Sequence, residues 1–174
     1  ESEASAVKAL KLLDKKSGDQ NNEVRVGLYN HLGMVNRVLN NYDNALFYYD
    51  KLLNIVKDSL SESKIYNNRG IVHLYQKKYN LASKEFEKAY QISWQLKDSL
   101  EAARSLDNLG YSQFKLKMER GLFNMLEALK IRKKINKPSD IYASYKHLSK
   151  YYLEHYDRIN SLKYANEGYS IAKK

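Results

Sequence analysis

Residues 70–90 read GIVHLYQKKYNLASKEFEKAY, and this stretch decides the fold. Its second half places Tyr79, Ala82, Phe86 and Ala89 three and four residues apart, the spacing of one face of a helix. Its first half opens on Gly70, a small residue set among Ile71, Val72 and Leu74. Leu46, Tyr49, Leu52, Leu53 and Val56 make the same helical face upstream. Few segments alternate with period two, so the chain is read as all-α.

The pattern repeats. A small residue recurs at Gly33, Gly70, Gly110 and Ser149, at intervals of 37, 40 and 39 residues. Behind each lies a second pattern: Tyr42, Ala45, Tyr49, Leu52, then Tyr79, Ala82, Phe86, Ala89. The third is Met118, Gly121, Met125, Ala128, and the fourth is Arg158, Ser161, Ala165, Gly168. The spacing has a physical meaning. A small residue in the middle of a first helix, A, lets a second helix, B, approach closely. A small residue in B lets the next A pack against it, and a large residue four positions on fills the space between. Each repeat then buries only its neighbour-facing sides.

These motifs resemble the tetratricopeptide repeat, from about Arg25 to the end. The resemblance implies a right-handed superhelical solenoid of antiparallel helix pairs, about nine helices in all. Its repeats are expected at 25–60, 62–98, 99–138 and 139–174. They exceed the usual repeat of about 34 residues by three to six. Residues 1–20 carry Ala6, Leu10 and Leu13 ahead of Lys16-Ser17-Gly18-Asp19, and read as helix B of a preceding repeat. The chain starts at Glu1 rather than Met and is read as a fragment or processed product. Ser59, Ser99 and Ser139 stand where the following A helices should be capped.

Composition narrows the function. Of 174 residues, 43% are hydrophobic and 29% charged, a globular balance. Cysteine is absent, which removes disulfides, thiolate metal sites and cysteine nucleophiles. No apolar run approaches the roughly 20 residues of a membrane span, and no signal-peptide pattern is present. The net charge is +10, and it is uneven. Residues 1–62 hold eight basic and nine acidic side chains, and residues 63–174 hold 22 and 11. That asymmetry suits an acidic partner or, more plainly, lysine-rich solvated faces.

Enzyme motifs are missing: no G-x-G-x-x-G, no P-loop, no H-E-x-x-H. The chain is read as non-catalytic, without cofactor or metal. His31, His73, His147 and His155 are read as surface or groove histidines, and His147 and His155, eight residues apart, are too distant to share a metal unaided. Tyr48, Tyr49, Tyr75, Tyr151 and Tyr152 could stack on bases but are read mainly as packing. Lys130, Arg132, Lys133 and Lys134 could hold phosphate but fall at the end of a B helix, and are read as a solvated convex face.

In tetratricopeptide arrays the A helices line the concave face, so the resemblance names a groove. Its residues are Asn30, Met34, Arg37 and Val38; Lys64, Asn67, Asn68, Ile71 and Tyr75; Arg104, Asp107, Asn108, Tyr111 and Lys115; and Lys146, His147, Lys150 and Glu154. The set holds six cations against two anions. An asparagine amide offers one acceptor and two donors, which suits an extended peptide backbone. Members of the family that bind peptides use asparagines at positions matching Asn68 and Asn108, with basic residues holding carboxylates.

The resulting expectation is a binding scaffold for a protein or peptide segment, acidic or ending in a free carboxylate. The repeats resemble the sensory arrays of Bacteroidetes-type bacterial transcriptional regulators, which would place this region outside the cytoplasmic membrane. The alternatives are a cytoplasmic peptide-responsive regulator, a free-standing adaptor, or nucleic-acid binding through the basic two-thirds.

Overall fold

The computed structural model describes residues 2–14 and 22–173. Among the described residues the chain forms helices α1 (Ser2–Asp14), α2 (Asn22–Val38), α3 (Tyr42–Leu53), α4 (Ser59–Tyr75), α5 (Tyr79–Gln95), α6 (Ser99–Lys115), α7 (Arg120–Ile135), α8 (Pro138–Glu154) and α9 (Arg158–Ala172). Each packs on its chain neighbour, and α4, α6 and α8 also touch in that order. The A helices α2, α4, α6 and α8 thus alternate with the B helices α3, α5, α7 and α9. Helix α1 packs Ala6 and Leu10 against Leu32 of α2. Residues 16–19, read as the end of that first helix, lie outside the described residues.

The small residues sit where the A and B helices cross. A Cβ at Gly33 would lie 2.6 Å from the Tyr49 ring, and one at Gly70 would lie 2.5 Å from the Phe86 ring. Both rings are fully buried, each contributing about 1.5–3 kcal/mol in area removed from water. In the third pair glycine meets glycine: Gly110 and Gly121 bring two backbones together. The fourth pair departs from the pattern. Ala165, in the filling position, is exposed. Instead the Ser149 hydroxyl donates to the Ser161 carbonyl and Ser161 donates back, both at 3.1 Å. Tyr145, Tyr152 and Tyr164 pack beside them, the last two stacked 5.6 Å apart.

The helix starts correct the expected caps. Asp58 accepts from the Ser61 N–H at 2.8 Å. Asp98 accepts from Leu100 at 3.1 Å and Glu101 at 3.0 Å. Ser59 and Ser99 are therefore the first helical residues, and Ser139 lies inside α8, which starts at Pro138 without a side-chain cap. A carboxylate outperforms the neighbouring hydroxyl because its charge also answers the positive helix N-terminus.

Among the described residues, the ends of α2, α4, α5, α6, α7 and α8 share one device without glycine. Asn40, Lys77, Lys97, Lys117, Asn136 and Tyr156 all adopt positive φ. After α4, for example, the Lys78 N–H returns to the His73 carbonyl at 2.9 Å, closing the last turn. A left-handed conformation strains a bulky side chain. Tyr156 is 90% exposed and so gains little packing in return. Tyr156→Gly relieves about 1–2 kcal/mol of left-handed strain against about 0.5–1 kcal/mol of added glycine entropy, and is expected to stabilise the protein by about 0.5–1 kcal/mol. Thermal melting checks this; a lowered midpoint would mean the ring holds the turn.

Candidate functional site: the concave face

The A helices present their polar face together, and much of it is spent on holding the repeats in register. The Asn108 amide donates to the Asn67 side-chain oxygen at 3.0 Å, from α6 to α4. One repeat on, His147 Nδ1 meets Asp107 at 2.8 Å, from α8 to α6. In each case the residue three before the small position of one A helix pairs with the residue two before it in the next. Sequence reading placed Asn67 and Asp107 in the open groove. The structure corrects this: Asn67 is 4% exposed and Asp107 is fully buried. The signal was available as the recurrence of polar residues at those two offsets.

Asp107 anchors a larger cluster. Arg132 of α7 donates to its carboxylate at 2.9 Å and to the Ser144 hydroxyl at 2.7 Å. The sequence sets Arg132 in a run of lysines that suggests a solvated face, but it is 2% exposed. Lys130, Lys133 and Lys134 do face outward. Burial pushes the Asp107 carboxyl up, but His147 and then Arg132 outweigh it and hold it below its ordinary value. His73, also read as a surface residue, is buried, which depresses its basicity.

Other expected cations are partly answered from within. Arg104 pairs with Glu101 at 2.6 Å and with Asp140 at 3.5 Å. Lys115 pairs with Glu154 at 2.5 Å. This second pair walls a cavity of about 590 Å³ at the ends of α6 and α8, with Phe114, Tyr151 and His155 beside it. Arg37 lies over Tyr75, 5.9 Å from the ring centre, and Tyr75 stacks with Tyr42. The Asn30 amide lies 3.8 Å from the Met34 sulfur. Tyr49, Tyr151 and Tyr152 serve packing, and Tyr75 stays 58% exposed.

The residues left facing solvent are fewer than expected. Lys64, Lys146 and Lys150 are exposed, and Asn68 is half-buried with no hydrogen bond to its amide among the described residues. Tyr111 stacks on His147 at 4.4 Å, and Lys150 Nζ lies 5.9 Å from the Tyr111 ring centre. Among the described residues no three His, Asp or Glu side chains are grouped to hold a metal. No described helix is long and apolar enough to cross a membrane.

Residues 24–93 match the tetratricopeptide repeat family model. The crystal structure of BtubC (BKLC) from P. vanneervenii superposes with a TM-score of 0.71 at 19% identity, over 91% of this chain and 67% of that one. A Rap protein complexed with Competence and Sporulation Factor superposes with a TM-score of 0.80 at 14% identity, over 96% of this chain. The fold is a tetratricopeptide-type solenoid. The array spans 47% of the length of the Rap chain. No curated protein sequence matches it. The repeat match and these neighbours support a protein-interaction scaffold.

Proposed function

We propose that the concave face binds an extended, acidic segment of a partner protein or a peptide with a free carboxylate. On this reading the array is the sensor or interaction region of a larger bacterial regulator. The observation that carries the proposal is the set of side chains left over once the repeats are locked together. Lys64 on α4 and Lys146 and Lys150 on α8 are exposed, and the half-buried Asn68 of α4 has an amide that is unbonded among the described residues. Cations supply attraction to carboxylates, and the amide supplies backbone recognition. The likeness to a Rap protein solved with Competence and Sporulation Factor supports a role in which a bound factor changes the state of the array.

Asn68 is a cleaner probe than Asn108, because Asn108 is already engaged with Asn67. With an acidic octapeptide bearing a free C-terminus, Asn68→Ala is expected to weaken binding by about 1–3 kcal/mol in calorimetry. Lys150→Ala should weaken it too, and more at low salt than at high. Unchanged affinity in both variants would remove the concave face from consideration. Tighter, steeply salt-dependent binding of an oligonucleotide would favour nucleic acid instead.

A further inference from the structure

A second groove lies on the opposite, B-helix side. It has a volume of about 490 Å³ and runs between α5 and α7, with α6 as its floor. Tyr90 and Trp94 form one wall, Phe123 and Ile131 the other, and Leu106 and Leu109 the base. Trp94 is 62% exposed and Phe123 60%, although both belong to helices whose other faces fill the core. The Tyr90 ring lies 5.9 Å from the Trp94 ring, tilted by 38°. Facing aromatic side chains over an apolar floor are the composition of a contact surface, and tryptophan is the residue most enriched at binding hot spots.

The charges around this groove are not symmetric. On the α7 wall Lys130 is answered by Glu127 at 3.4 Å. Arg120 and Lys134, toward its two ends, have no carboxylate partner among the described residues. The α5 wall carries Glu87 and no lysine or arginine at the groove. From Arg120 to Lys134 the wall is about 21 Å long at the rise of a helix. An occupant of that length meets apolar surface below and positive charge at both ends of one side only. A nucleic acid would set its phosphates over leucine, and a second copy of a chain with net charge +10 would bring like charge to like.

We propose that this convex groove docks an amphipathic helix of a partner protein, its apolar stripe on Trp94 and Phe123 and its acidic flank along α7. The site is separate from the concave face, so the array can hold two partners at once.

Trp94 is the only tryptophan of the chain, so its emission reports binding at this end of α5, and the α7 variants tie the signal to the groove. The probe is a synthetic helical peptide of about fourteen residues with a leucine stripe flanked on one side by glutamate. Its twin carries lysine at the glutamate positions. The glutamate peptide is expected to blue-shift Trp94 emission with saturation, and the lysine twin to bind at least tenfold more weakly. Charge reversal by Arg120→Glu with Lys134→Glu should cut the affinity of the glutamate peptide at least tenfold. Phe123→Ala should weaken both peptides. All these positions are exposed, and unchanged circular dichroism melts would show the variants folded. No emission shift with either peptide, or equal binding of the two, overturns the proposal. So does an oligonucleotide that quenches Trp94 at lower concentration than the peptide. Concentration-dependent dimerisation abolished by Trp94→Ala would also overturn it, reassigning the groove to a second copy of the chain.

Discussion

Asp107→Ala is expected to destabilise the array by about 3–5 kcal/mol, the usual loss when one partner of a buried ion pair is removed. The carboxylate is fully buried and receives Arg132 at 2.9 Å and His147 at 2.8 Å. These three side chains come from α6, α7 and α8, so a single carboxylate ties three helices. Without it the Arg132 guanidinium, 2% exposed, keeps only the Ser144 hydroxyl. Urea unfolding followed by far-ultraviolet circular dichroism measures the loss. Asp107→Leu combined with Arg132→Met should recover much of it, because the charges then leave together. A single-variant loss under about 1 kcal/mol would show that the cluster is more hydrated than its burial implies.

The same carboxylate sets the acid limb of stability. Burial acts to raise its pKa, and His147 and Arg132 more than offset this, so the folded value lies below the ordinary 3.8. A depressed folded value means that Asp107 stabilises the protein above that pH, and that this contribution fades as pH falls through the folded value. Asp58 and Asp157, held low by the N–H groups they cap, act in the same direction from the surface. Acid titration of the wild type should therefore lose stability below about pH 4, and Asp107→Asn should flatten that limb. An unchanged limb would place the pH sensitivity in the caps alone.

The repeat was legible because its constraint is local and periodic. A small residue at a helix crossing and an aromatic four positions after the B-helix small residue leave a mark in one dimension, as Gly70 with Phe86 does. The fourth pair was less legible, because Ser149 and Ser161 replace steric fit with reciprocal hydrogen bonds. Two caps were misplaced by one residue because Asp58-Ser59 and Asp98-Ser99 each offer two candidates that the sequence does not rank, and at Ser139 the helix already begins at Pro138. The concave face was legible as a set of positions, but its consumption was not. Whether Asn67 points to solvent depends on Asn108, 41 residues on. Arg132 looked solvated beside three lysines, and only the arrival of Asp107 from α6 draws it inward. Polar residues paired between repeats and polar residues awaiting a ligand look alike until the repeats are stacked.

Gly121→Ala should lower stability by about 2–3 kcal/mol, toward the upper end for overpacking. A Cβ there would lie 2.6 Å from the Phe114 nitrogen and 2.8 Å from the Gly110 carbonyl oxygen. The contrast with Gly33 is instructive, since its obstacle is the side-chain ring of Tyr49 rather than the backbone of a facing helix. At Gly121 the obstacles are backbone atoms inside α6, and they move only if the two helices separate. Separation would loosen the contacts of Met125 and Leu109, both buried at this crossing. The intrinsic helix preference of alanine over glycine, about 1 kcal/mol, opposes the loss without cancelling it. Gly27→Ala supplies the control: its added Cβ meets nothing within 4 Å, so only the helix preference remains. The thermal midpoint should therefore rise slightly for Gly27→Ala and fall by about 4–12 °C for Gly121→Ala. Equal midpoints would mean that α6 and α7 have room to spare. The third repeat would then be held chiefly by the Asp107 cluster rather than by the close approach of its helices.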